Sequence, residues 1–117
     1  MATYTKLPLS GSINGKQIFI TATTSGSATP IHTAVDGTGS LDEIYLYAYN
    51  DGTSSMLTSI LWGGTTEPND VSRYSVLPRA GRILLVDGKL IQNSLVVSAY
   101  TSASGFVAID GFVNRIS

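Results

Sequence analysis

The run LDEIYLYAYN, Leu41 to Asn50, constrains the fold more than any other stretch of this chain. From Ile44 to Tyr49 aliphatic residues alternate with tyrosine, so in an extended strand Ile44, Leu46 and Ala48 take one face and Tyr45, Tyr47 and Tyr49 the other. Neither face is plainly polar, and both call for cover. Asn50, Asp51 and Gly52 then mark a turn, because these residues tolerate left-handed backbone angles and hydrogen-bond their own main chain. A second extended run, Ser55 to Trp62, follows. The two runs read together as a central β-hairpin, with Trp62 packing against the core or the hairpin.

The same two-residue alternation, broken by Gly, Asn and Asp, recurs along the chain, and helical periodicity is hard to find. The expected class is all-β: one domain over residues 1–117, an antiparallel β-sandwich or jelly-roll-like barrel of about eight to ten short strands. Thr3 to Leu9 reads as an edge strand, since Pro8 has no N–H for a ladder. Asn14-Gly15 and Asp87-Gly88 are tight-hairpin signals, and Asp110-Gly111 predicts a further turn or bulge before Phe112 to Ile116.

Composition narrows the function classes. Charged residues make up 13% of the chain and the net charge is -1, against about 25% charged in ordinary soluble domains. Such a surface offers no basic field for nucleic acid, and it leaves little repulsion between copies in an assembly. There is no cysteine, hence no disulfide or thiolate metal site. No run approaches the roughly 20 apolar residues of a membrane span, and Met1 to Leu9 lacks the continuous apolar core of a secretory signal.

Chemistry has little to stand on. His32 is the only histidine, which excludes a His pair for metal within one chain and leaves any nucleophile a single candidate base. The expected role of His32 is that of a strand residue bonded to neighbouring backbone. Asp42 and Glu43 are adjacent, so on a strand they diverge and cannot act as a carboxylate pair; solvated rim charges are expected. No cofactor, catalytic residue or metal ligand is assigned. Tyr45, Tyr47 and Tyr49 are the residue type enriched at interfaces, with large amphipathic rings and a hydroxyl for bonding. Arg73, Arg79 and Arg82, with Tyr74 among them, form the densest positive group and are expected to fork onto carboxylates of a neighbouring subunit or of the same chain. The expected interface is therefore Tyr45, Tyr47, Tyr49, Arg73, Tyr74, Arg79 and Arg82.

The segments LPLSGSINGKQI, IHTAVDGTGSLDEIYLYAYN, LTSILWGGTTEPND and GFVNRI together resemble small virion proteins encoded among the head and neck genes of tailed bacteriophages. The resemblance covers nearly the whole chain and lies in turns and strand pattern. It implies a β-sandwich structural protein of the virion, made in the host cytoplasm. The role implied is that of a capsid decoration or cement protein whose partners are the major capsid protein or other virion proteins. It also implies a homo-oligomer, often a trimer at local three-fold positions. A neck or tail position is the alternative within that class, and a carbohydrate-binding module is the alternative outside it.

Overall fold

The computed structural model describes residues 3–117; Met1 and Ala2, the start of the segment read as lacking a secretory signal, lie outside the described residues. Its strands are β1 (Tyr4–Pro8), β2 (Ile18–Ile20), β3 (Thr29–Thr33), β4 (Leu41–Asn50), β5 (Met56–Trp62), β6 (Val71–Val76), β7 (Ile83–Ile91), β8 (Val96–Thr101) and β9 (Val107–Ile116). All strand pairs are antiparallel. One sheet has the order β2-β9-β4-β7, with β1 alongside β2 on the same edge of β9, and the other has the order β3-β8-β5-β6. From β2 onward every connection except β5–β6 passes from one sheet to the other. That winding is the jelly roll, the double-sheet form of an antiparallel sandwich.

The aliphatic parity of β4 explains why the sheets stack. Ile44, Leu46 and Ala48 point inward and are fully buried with Ile20, Ile31, Ile60, Val76, Val97, Val107, Ile109 and Val113 in one inter-sheet cluster. Each Val, Leu or Ile side chain removed from water contributes roughly 1.5–3 kcal/mol before entropy is charged against it.

The turn signals fall where chain direction changes or a strand is distorted, but the pairings they suggested are corrected. Leu41–Asn50 and Met56–Trp62 are not a hairpin: β4 lies between β9 and β7, while β5 lies between β8 and β6 in the opposite sheet. Asn50 makes the corner. It is fully buried, its Nδ2 donates to the carbonyls of Ser54 (2.8 Å) and Val76 (3.0 Å), and its Oδ1 accepts from Gly52 N (2.8 Å). Asn14 and Gly15 do form a tight turn with positive φ at both (54° and 81°), yet β1 and β2 bond to β9 and not to each other.

Asp87-Gly88 lies inside continuous β7, where Ile44 faces Lys89 and Tyr45 faces Asp87. Gly88 is thus the extra residue of a β-bulge, at φ 75° with the Tyr45 hydroxyl 3.0 Å from where a Cβ would sit. Asp110-Gly111 makes no turn either, since β9 runs straight through it. A Cβ on Gly111 would come within 1.9 Å of the Tyr45 carbonyl oxygen, so the close approach of β4 accounts for the glycine.

Candidate interaction surface

The second parity of β4 is the outer face of the first sheet. Register sets Tyr45 opposite Phe112, Tyr47 opposite Asp110 and Tyr49 opposite Ala108 on β9. On the other side Tyr47 faces Leu84 and Glu43 faces Leu90 on β7. The three tyrosines are half-buried by their own sheet, and no element among the described residues packs over them.

The Tyr45 and Phe112 rings stack with centroids 4.7 Å apart and planes 16° from parallel. Lys6 Nζ lies 4.4 Å from the Phe112 centroid. The Arg82 guanidinium lies 3.6 Å from the Tyr47 centroid, and Asp110 holds it there by accepting from Arg82 Nε at 2.8 and 2.9 Å. Such cation–π contacts are worth about 0.5–1 kcal/mol each at exposed sites. The hydroxyls are anchored as well: Tyr45 donates to Glu43 (3.2 Å) and Tyr49 to Asp51 (3.1 Å). These hydrogen bonds, with burial and the carboxylate charges behind them, hold both phenols above their ordinary pKa. Both stay protonated donors through the neutral range.

Of the predicted polar partners, Arg82 joins this face at its centre and Arg79 at its end, where Arg79 Nε donates to the Asp51 carbonyl (3.3 Å). Arg73 does not join it. It projects from the outer side of β6 in the opposite sheet, bonded to the Tyr100 hydroxyl (3.4 Å) and paired with Glu67 (3.1 Å). The Tyr100 hydroxyl, and to a lesser degree Glu67, raises the pKa of its guanidinium. Tyr74 takes the other parity of β6 and packs against the inter-sheet core, so it does not join the tyrosine face. Phe112, Lys6 and Asp110 belong to the face and were missed. Their alternation in DGFVNRI and YTKLP is visible, but the register that brings them beside the tyrosines is not.

The His32–Asp42 pair is built for structure. Asp42 is not a rim charge: it shares the inward parity of Ile44 and is fully buried, 0% exposed, with His32 at 2%. His32 Nδ1 accepts from Ser10 N (2.9 Å), so Nε2 carries the proton and donates to Asp42 Oδ2 (2.7 Å). Asp42 also accepts from Val35 N (3.0 Å) and, two-pronged, from Arg115 (2.8 and 3.0 Å). Burial alone would push the Asp42 carboxyl up in pKa; the hydrogen bonds from Arg115 and His32, with the Arg115 charge, outweigh that and hold it low. Asp42 in turn raises the Arg115 guanidinium. A serine nucleophile would need the Nδ1 lone pair, and the Ser10 main chain occupies it while Ser10 Oγ accepts from Thr33 N (2.7 Å). The network clamps β3 of one sheet to β4 and β9 of the other.

No protein-family model matches this sequence, and no curated protein matches it.

Proposed function

We propose that the chain is a structural protein of a tailed-bacteriophage particle, a decoration protein that docks on the major capsid protein through the outer face carrying Tyr45, Tyr47, Tyr49, Phe112 and Arg82. The observation that carries this reading is the ordered aromatic and guanidinium stack on a face that no element among the described residues covers. Tyrosine and arginine dominate interface hot spots, and rings already held in place lose little entropy on docking.

The same stack favours a protein partner over a sugar. Stacking on a glycan needs a bare ring face, whereas Lys6 and Arg82 already lie over Phe112 and Tyr47. What points outward is guanidinium and ammonium N–H, suited to the carbonyls and carboxylates of a protein surface. Jelly rolls serve both capsid and lectin domains, so the fold agrees with either, and the covered ring faces support the protein partner. Mechanically, each copy adds buried contact across subunit boundaries, and many copies turn a modest contact into large avidity.

Co-sedimentation with heads of the cognate phage stripped of this protein tests the reading. Wild type is expected to pellet with the heads, and Tyr47→Ser and Arg82→Glu to weaken binding at least roughly tenfold, the effect of losing about 1.4 kcal/mol. Unchanged binding by both folded variants, or saturable binding to a glycan in their place, overturns it. Imaging of the intact particle separates head from neck and tail.

A further inference from the structure

The two sheets have four margins, and three of them are protected against further pairing. β3 contains Pro30 and a register break, and Leu9–Gly11 caps it through Gly11 N to the Ile31 carbonyl (2.9 Å). β7 carries two register breaks and Gly88. On the far edge β1 ends in Pro8 and β2 is three residues long. These are the usual devices that blunt an edge. β6 has none of these backbone devices: VSRYSV contains no proline or glycine, it pairs with β5 from Met56–Val76 to Leu61–Val71 without a break, and its one charge, Arg73, is paired with Glu67.

The direction of its free groups follows from the ladder. Trp62 N donates to the Asp70 carbonyl (2.8 Å), which makes Trp62 and Asp70 a hydrogen-bonded pair. In an antiparallel ladder such pairs alternate, so Ser72, Tyr74 and Val76 also turn their main chain toward β5. Val71, Arg73 and Ser75 turn theirs outward. The bond from Ser102 N to the Leu57 carbonyl (3.0 Å) on the other side of β5 agrees with this phase. Among the described residues the outward N–H and carbonyl groups of Val71, Arg73 and Ser75 have no protein partner.

We infer that β6 pairs antiparallel with β6 of a second copy of this chain, joining the two β3-β8-β5-β6 sheets into one across a two-fold axis at Tyr74. The side chains choose both occupant and register. An axis at Arg73 would set the two Arg73 side chains directly opposite, which is unfavourable. An axis at Tyr74 sets Arg73 opposite Ser75 of the second copy, so these residues exchange main-chain hydrogen bonds in both directions. It sets Tyr74 against Tyr74, a favourable cross-strand aromatic pair. It also lays Leu77, 56% exposed in the single chain, beside Val71 of the second copy. A two-fold contact needs only this one self-complementary strand, and it lies on the sheet opposite the tyrosine face.

Sedimentation equilibrium across a concentration series tests this, together with amide exchange by NMR. The expected result is a monomer–dimer equilibrium in which the Arg73 and Ser75 amides gain protection with concentration while the β7 edge does not. Ser75→Pro removes an outward N–H that the intrachain ladder does not use, so the fold persists. Losing that hydrogen bond in each copy should raise the dimer dissociation constant roughly tenfold to a hundredfold. Tyr47→Ser should leave dimerisation unchanged, which keeps this inference separable from docking through the tyrosine face. A protein that stays monomeric at millimolar concentration, or a dimer indifferent to Ser75→Pro, overturns the pairing; a strand from a different protein on this edge would appear as the former.

Discussion

Removing the Asp42 carboxylate should be among the most costly single changes in this chain. In Asp42→Ala the His32 Nε2–H and the Val35 N–H lose their acceptor. His32 cannot escape by changing tautomer, because its Nδ1 must remain an acceptor for Ser10 N. A buried donor left unpaired costs about 1–3 kcal/mol. Arg115 adds less, since its side chain is 34% exposed and can turn to water. The expected loss is about 4 kcal/mol, a large part of the roughly 5–15 kcal/mol by which a domain is stable. Asp42→Asn should lose about half as much, because one amide oxygen still accepts while the NH₂ faces donors.

The pH dependence has a fixed sign. A carboxyl whose folded pKa lies below its unfolded value near 3.8 stabilises the fold at higher pH, and that contribution disappears as pH falls through the depressed folded value. Wild type should therefore lose stability from about pH 4 downward, and Asp42→Asn should show a flatter acid limb. Urea melts followed by fluorescence of Trp62, the single tryptophan, read both effects. A loss below about 1 kcal/mol for Asp42→Ala, or identical acid limbs, would refute the clamp.

Thr58 is fully buried on β5 and its hydroxyl has no hydrogen-bond partner, so Thr58→Val should raise stability by about 1 kcal/mol and the melting temperature by about 4 °C in a thermal scan; a lower melting temperature would contradict it. Asn50→Ala strips the corner between the sheets of three hydrogen bonds and should cost about 3 kcal/mol in the same urea melt, whereas a loss within 0.5 kcal/mol would mark the corner as dispensable.

Faces proved easier to read from the sequence than pairings, and the reason is physical. Side-chain alternation is a property of one strand, so Ile44, Leu46 and Ala48 against Tyr45, Tyr47 and Tyr49 is visible without knowing any neighbour. Pairing depends on where the chain goes after a turn. Asn50-Asp51-Gly52 reverses direction equally well within a sheet or across to the facing one, and Asn14-Gly15 turns tightly between strands that each bond to β9. Gly88 and Gly111 carry a turn signal but serve a bulge and a close strand approach in its place.

A stronger signal lay in the parity of β4 itself. Counting back from Ile44 in twos reaches Asp42, and counting forward from Ala48 reaches Asn50, so polar residues bracket the aliphatic stripe on the core-facing parity. A polar side chain forced inward must find partners, or its burial costs several kcal/mol. Here the partners lie on both sheets: His32 of β3 and Arg115 of β9 meet at Asp42, and Ser54 and Val76 meet at Asn50. Each end of β4 thus pins the two layers at a defined distance and register, with the aliphatic stripe filling the space between. That clamping leaves the tyrosine parity free of any role in joining the layers. The outward residues of β4 can therefore be chosen for what lies outside the chain, which is why an aromatic row can persist there without a buried layer of its own to hold it.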